Sequence, residues 1–365
     1  MEEKALKVLQ ILEENGYEAY IVGGYVRNKL LGIESNDVDI CTSATPKEVK
    51  EIFKSSSSVN YGSVSITYKN ITFDITTFRK DIKYLDNRIP IELKYIKSLK
   101  KDLLRRDFTV NTICINSKGE VLENLNIMDD LNNRIIKTVG NPRYKLKEDS
   151  LRILRAIRFA AILDFSIEEE TQKYIKAYSN LLKKLSIQRK KQELDKIFSS
   201  INNEKGIKLL LEYGLDKPLS LNNLKKITPC RDLIGIWTQL EVDDIYPFNK
   251  NEKEQMKKIR ELLSKNIKNK YNIYKYGLYN STVAYQIEKE NITELNKIYK
   301  ELPIHNLKEL NITAKDIIDI LNIEPDNYIK SIITDIEKKV VLGELPNNYN
   351  KIKDYIIKNY KYLNK

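Results

Sequence analysis

Tyr20-Ile21-Val22-Gly23-Gly24-Tyr25-Val26-Arg27-Asn28-Lys29-Leu30-Leu31-Gly32 leads, after four more residues, into Asp37-Val38-Asp39-Ile40. Three apolar residues running into a glycine pair read as a buried strand that ends in a turn, with a helix from Val26 to Leu31 behind it. Val38-Asp39-Ile40 alternates as a strand does, and residues two apart on a strand share a face, so Asp37 and Asp39 are expected side by side. Two carboxylates at that range repel, and a divalent cation taking hard oxygen ligands from both resolves the conflict. Two such ions can activate a 3′-hydroxyl and stabilise leaving pyrophosphate during in-line attack on an α-phosphate. Gly23 and Gly24, without side chains, let backbone amides approach a triphosphate, and Arg27 stands one helical turn on to neutralise charge. Alone, an Asp-x-Asp is ordinary polar surface and a glycine pair an ordinary turn. Their joint spacing after an apolar strand points to the chemistry.

Outward from this stretch, Ala5 to Leu12 reads as an amphipathic helix, and Thr45-Pro46 opens another near Lys47 to Phe53. Ser63 to Tyr68 and Ile71 to Thr76 read as a hairpin across Lys69-Asn70. Beyond Val139-Gly140 the apolar spacing changes to threes and fours, beginning with Leu151, Leu154, Ile157 and Ala161, so the remainder is read as helical. The expected class is α+β: an N-terminal head with a mixed β-sheet and flanking helices, then an all-α neck, body and tail. The 365 residues are long enough for several domains. With 63 Lys and Arg against 51 Asp and Glu, the net charge of +12 favours a polyanionic partner such as nucleic acid, although a Lys- and Asn-rich composition also accounts for basic charge. Eleven of the thirteen arginines lie between Arg27 and Arg189, which marks the first half as the chemical half. One histidine, His305, and three scattered cysteines exclude a multi-histidine metal site, a His-based triad and a Cys zinc framework within the chain. No signal peptide or membrane span is apparent, so a cytoplasmic location is expected.

The quoted stretch resembles the first motif of the polymerase β nucleotidyltransferase superfamily, specifically class II CCA-adding enzymes and bacterial poly(A) polymerases. The family usually has Asp where this chain has Asn28, a near-isosteric change that loses a charge. The resemblance implies a third catalytic carboxylate at Asp74, in Phe73-Asp74-Ile75; read without the family, Asp74 is equally an edge-strand acid. It implies that Arg105-Arg106-Asp107-Phe108-Thr109-Val110-Asn111 reads the ribose through Arg106, Asp107 and Asn111. From the residues alone, Asp107 is as readily a helix N-cap.

A third segment, Glu148-Asp149-Ser150-Leu151-Arg152-Ile153-Leu154-Arg155-Ala156-Ile157-Arg158-Phe159, read as one helix, places Asp149 and Arg152 three apart with Arg155 a turn further. The ordinary reading is an intrahelical ion pair. Cytosine and adenine, however, both present an amino donor beside an unprotonated ring nitrogen, whereas uracil and guanine present a carbonyl beside N–H. A carboxylate next to a guanidinium therefore suits C and A and clashes with U and G, at about 1–3 kcal/mol per bidentate contact. Resemblance to the family's templating helix gives base recognition to Asp149 and Arg152, with Glu148 orienting the arginine and Arg155 and Arg158 beside them. It also identifies Lys80 to Pro90, including Asp86 and Arg88, as a flexible loop, and Gln188 to Phe198 as a supporting helix with Arg189 near the triphosphate or the templating helix. Asp129-Asp130-Leu131 resembles the segment joining head and neck.

The implied domains are a nucleotidyltransferase head at 1–139, a neck carrying the templating helix at 140–200, a body at 201–300 and a tRNA-binding tail at 301–365. The Lys- and Tyr-rich stretches Lys270 to Tyr276 and Tyr355 to Tyr362 read either as RNA contacts or as helices that bury tyrosine and solvate lysine. The tail from Ile312 resembles the C-terminal domain of CCA-adding enzymes from low-GC bacteria, and the single histidine argues against an appended HD phosphohydrolase domain. The expected activity is Mg2+-dependent addition of C, C and A to a tRNA 3′ end from CTP and ATP, with no membrane and no obligate protein partner. Poly(A), A-only and CC-only addition are the sister readings, and a catalytically inactive RNA-binding protein is the reading from another class.

Overall fold

The computed structural model describes residues 1–85, 89–123, 127–326 and 328–363, which form two compact units, Met1–Leu224 and from Lys225 onward. In the first unit, helix α1 (Glu2–Glu14) buries Ala5, Val8, Leu9 and Leu12, the stripe expected of three-and-four spacing. Strand β1 (Ala19–Val22) turns at Gly23 into α2 (Gly24–Leu30), and β2 (Asp39–Thr42) is followed by α3 (Pro46–Phe53). The α3 start is fixed by a reciprocal capping box between Thr45 and Glu48. Next come β3 (Val59–Asn60), β4 (Ser63–Tyr68), β5 (Ile71–Thr77), β6 (Arg79–Leu85), β7 (Ile89–Tyr95), α4 (Leu99–Leu104), β8 (Cys114–Ile115) and β9 (Val121–Leu122).

Seven strands make one mixed sheet in the order β3-β4-β5-β2-β1-β8-β9, and β6 and β7 pair separately as a hairpin. The register decides where the acids fall. Val22 is opposite Asp39 across the antiparallel β1–β2 pair, and Asp39 is opposite Asp74 across the parallel β2–β5 pair. The β4–β5 hairpin closes through Lys69 and Asn70, both at positive φ (46° and 64°), with Tyr68 paired to Ile71.

After the sheet come α5 (Met128–Asn132), β10 (Ile135–Ile136), α6 (Pro142–Glu148), α7 (Leu151–Ile162), β11 (Ser166–Ile167), α8 (Glu169–Ala177), α9 (Ile187–Phe198) and α10 (Asn203–Glu212). β10 and β11 form a short parallel pair. α7 is almost wholly buried and packed against α9 and α10.

The second unit is helical among its described residues: α11 (Leu233–Leu240), α12 (Lys250–Leu263), α13 (Lys270–Ile287), α14 (Ile292–Lys300), α15 (Ala314–Leu321), α16 (Tyr328–Leu342) and α17 (Tyr349–Tyr360). Its interior carries the buried Trp237 and Tyr285. The Lys- and Tyr-rich stretches follow the packing alternative. Tyr274 donates to Glu337 at 2.5 Å, Lys265 donates to the Tyr276 hydroxyl at 2.6 Å, and Tyr355 and Tyr360 both donate to Asp335 at 2.6 and 2.7 Å. These rings tie helices of the unit together.

Candidate active site

A cavity of about 490 Å3 opens where β1, α2, β2, the segment after α4, and α7 converge. Its floor is the turn from β1 to α2. Gly23 has φ 86° and ψ −138°, a conformation closed to L side chains. A Cβ there would stand 3.6 Å from Asp39 Oδ2 and 4.0 Å from Arg106 Nη1, so bare backbone, carboxylate and guanidinium meet at this turn. Asp37 and Asp39 both line the cavity. The expectation that both lie on one strand needs correction, because β2 starts at Asp39 and Asp37 belongs to the irregular stretch before it.

Asp74 sits on β5, an internal strand, so it is not an edge acid. It lies in register with Asp39 but outside the cavity lining, and its Oδ1 accepts from Ser65 Oγ at 2.5 Å. Burial, then Asp37 and Asp74, push the Asp39 carboxyl above its ordinary pKa against the opposing pull of Arg106 and Arg155. Among the described residues no hydrogen bond or ion pair engages the carboxylate of Asp37 or Asp39. Nor does any group of three or more Asp, Glu, His or Cys side chains form a complete metal cage. A pair of unpartnered hard-oxygen donors fits a magnesium-type ion, which takes one or two protein carboxylates and completes its shell from phosphates and water.

The ribose segment is locked into a chain of polar contacts. Arg27 donates through Nε and Nη2 to Asn28 Oδ1 at 3.1 and 2.8 Å, and through Nη1 to Asn111 Oδ1 at 2.5 Å. Asn28 thus accepts from Arg27 as a carboxylate would, without its charge. Burial, with Arg158 and Arg155 nearby, lowers the Arg27 pKa to about 10 although Asp107 opposes this, so the guanidinium stays charged at neutral pH. Asn111 donates to Asp107 Oδ1 at 3.1 Å, and the same oxygen accepts from Phe108 N at 2.8 Å. Asp107 Oδ2 receives Arg155 Nε at 2.7 Å and Nη2 at 2.5 Å. Burial would raise the Asp107 pKa, but Arg155 and these hydrogen bonds outweigh it and hold the group well below the usual carboxylate range. Its four acceptor positions are filled, so a ribose hydroxyl would have to share them.

The third motif is not one helix. α6 ends at Glu148, Asp149 is extended (φ −138°, ψ 101°), and α7 begins at Leu151. Asp149 Oδ1 accepts from Leu151 N at 3.0 Å, a capping contact that opens α7. Arg152 Nη1 donates to Lys145 O at 2.9 Å and to Glu148 at 3.4 Å, and Nη2 donates to Arg105 O at 3.0 Å. Glu148 itself lies outside the lining, with its carboxylate in reach of the arginine. Among the described residues, the Nε–H and one Nη2–H of Arg152 have no partner and can meet a ligand. Asp149 and Arg152 both line the cavity.

Arg158 pairs with Glu193 of α9 at 2.8 Å, both buried. Arg27, Arg155 and Arg158 place their guanidinium carbons 5.1, 5.3 and 4.4 Å from the centre of the Phe159 ring, whose π face partly offsets their mutual repulsion. Phe159, Lys196 and Arg79 line the cavity, and Glu193 and Asp102 pair with lining arginines from outside it, without having been singled out from the sequence. Asp102 and Phe159 carried a signal, since each stands three or four residues from an arginine it touches (Arg105 and Arg106; Arg155). Arg189 is exposed and outside the lining, where Lys196 of the same helix takes part instead. Asp86 and Arg88 lie outside the described residues. In all, eight cationic side chains face four carboxylates in the cavity, a balance suited to a triphosphate.

Comparison with known proteins follows the same lines. Residues 19–137 match a family described as the poly A polymerase head domain, 164–222 one described as a probable RNA and SrmB-binding site of polymerase A, and 246–356 one described as tRNA nucleotidyltransferase domain 2, putative. The CCA-adding enzyme of Ligilactobacillus salivarius (strain UCC118) is 33% identical, the match covering 99% of this chain and 96% of that protein. The CCA-adding enzyme of Geobacillus sp. (strain WCH70) is 32% identical over 97% of this chain and 96% of its own. The crystal structure of the Bacillus stearothermophilus CCA-adding enzyme in complex with CTP superimposes with a TM-score of 0.86 at 26% identity, covering 99% of this chain and 98% of that one.

Proposed function

The chain belongs to the family of CCA-adding enzymes, and from that premise we propose that it transfers CMP, CMP and AMP from CTP and ATP to the 3′ end of tRNA, with the cavity at Gly23, Asp39 and Arg152 as its active site. The observation that carries this reading is the meeting of two unpartnered carboxylates, a side-chain-free turn and an Asp–Arg pair in one cationic cavity. In this reading the tRNA 3′-hydroxyl oxygen attacks the α-phosphorus, its proton passes to solvent water, and the bond to the bridging oxygen breaks as pyrophosphate leaves.

Asp37 and Asp39 would hold Mg2+, which when bound supplies charge neutralisation at the α-phosphate and a lowered pKa for the hydroxyl. Asp74, fixed by Ser65, supports the acidic end of the site. Gly23 and Gly24 let the triphosphate approach the backbone, and Arg27 with Arg106 opposes its charge. The Arg106–Asp107–Asn111 segment lies toward the ribose. Asp149 accepts from the exocyclic amine of C or A, while the free donors of Arg152 meet the ring acceptors. Arg155 and Arg158 hold the wall behind them.

Head, neck, body and tail at 1–139, 140–200, 201–300 and 301–365 are part of the same proposal, as is a cytoplasmic setting, which suits the three free buried cysteines. Incubating the protein with a tRNA transcript lacking its CCA end and each nucleotide singly, with Mg2+ or with EDTA, tests it. Mg2+-dependent incorporation of C, and of A once CC is present, is expected. Equal use of U or G, or no incorporation at all, would refute the assignment.

A further inference from the structure

Asp102, on α4, is fully buried and takes no part in the chemistry described so far. Its Oδ1 accepts from Arg105 Nε at 2.9 Å and from the Arg79 backbone N–H at 3.0 Å, and its Oδ2 accepts from Arg106 Nη2 at 3.2 Å. Arg79, Arg105 and Arg106 all line the nucleotide cavity, whereas Asp102 does not. A carboxylate away from water is tolerated only when its charge is matched and its lone pairs are filled, and these three groups do both. Burial would raise its pKa, but Arg105 and Arg106 overcome that and hold it below the ordinary carboxylate value, so it is ionised at neutral pH.

Arg106 is held by one edge only. Nη2 goes to Asp102, Nε has no partner among the described residues, and Nη1 is directed to the Gly23 turn beside Asp39. Arg79 opens β6, so the same carboxylate also anchors the root of the β6–β7 hairpin beside the two arginines.

We propose that Asp102 is a positioning residue for nucleotide binding, aiming Arg106 and Arg105 at the triphosphate and fastening the hairpin root to them. The inference rests on the nucleotide reading of the cavity. Without the carboxylate, two adjacent guanidiniums repel each other and lose their orientation.

The test is CTP and ATP binding by calorimetry in Mg2+, with tRNA binding and thermal melting measured on the same preparations. Asp102→Asn should weaken both nucleotides by about tenfold, the equivalent of one charge-assisted phosphate contact, and leave tRNA affinity unchanged. Because Asp102 acts through Arg106, Asp102→Asn combined with Arg106→Gln should bind CTP no more weakly than Arg106→Gln alone. Asp102→Glu keeps the charge but displaces it, and serves if Asp102→Asn does not fold; it too should weaken CTP with tRNA binding intact. Wild-type nucleotide affinity in a folded variant, or equal loss of nucleotide and tRNA binding, would overturn the proposal. A wild-type protein that binds no CTP would overturn the nucleotide reading and this inference with it.

Discussion

Asp37 and Asp39 face the cavity with no side-chain hydrogen-bond or ion-pair partner among the described residues, whereas Asp107 has both oxygens filled by Arg155, Asn111 and Phe108 N. That contrast gives the two kinds of carboxylate different expected responses to substitution. Asp37→Ala or Asp39→Ala should abolish incorporation while tRNA binding, which depends on the basic surface, is retained; full activity in both variants would refute the metal assignment. Asp107→Asn should instead cost about 2 kcal/mol of stability at neutral pH by removing the charge that the part-exposed Arg155 pairs with. The pH dependence of that loss has a definite sign. The folded-state pKa of Asp107 is depressed, so its stabilisation is complete above the unfolded value of about 3.9 and is lost as pH falls toward the folded value. The gap between wild type and variant in urea titrations should therefore be constant from neutrality down to about pH 5 and narrow below about pH 4. Spacing singled out Asp37 and Asp39, and resemblance singled out Asp149 and Arg152; all four line the cavity. The links between Arg27 and Asn111, 84 residues apart, and between Arg155 and Asp107, 48 apart, were not legible, since pairs so distant leave no periodic signal.

At the level of elements, the β4–β5 hairpin was legible to within one residue, β5 running on to Thr77, because alternation fixes the faces and a two-residue connection fixes the register. Its turn is conformationally costly, with Lys69 and Asn70 both at positive φ. Lys69→Asn with Asn70→Gly, the pair such turns favour, should raise stability by about 1 kcal/mol, seen as a higher melting temperature with activity unchanged. A lowered melting temperature would mean that the turn is held by something other than local conformation. The division between α6 and α7 was missed, because charged residues on either side conceal a stop at Glu148 and a new start at Leu151. Asp149-Ser150 before the apolar run was the available signal. The break sets Asp149 off the helix and beside the cavity. Asp149→Ala with Arg152→Ala should therefore fold and incorporate nucleotides, but lose its preference for C and A over U and G. Retained selectivity at a lower rate would show the pair to be structural.

For the whole molecule, the arginine distribution pointed to the first half of the chain, and the arginine-lined cavity lies within residues 1–224. The stretch from about 215 to 300 offered no motif, because helices that bury ordinary apolar stripes and tie a tyrosine such as Tyr274 to Glu337 differ little in pattern from any other helical bundle. The central claim is that one protein-built pocket accepts C twice and A once and then stops. Since no nucleic-acid template moves through it, the growing 3′ end must alter its preference and termination must be intrinsic. The direct measurement is to sequence the product ends formed with CTP and ATP from three transcripts of one tRNA, ending before CCA, before the second C and before A. All three should finish at the same CCA end. A long adenosine tail, arrest at CC with ATP present, or extension of only the transcript already ending in CC would contradict the account.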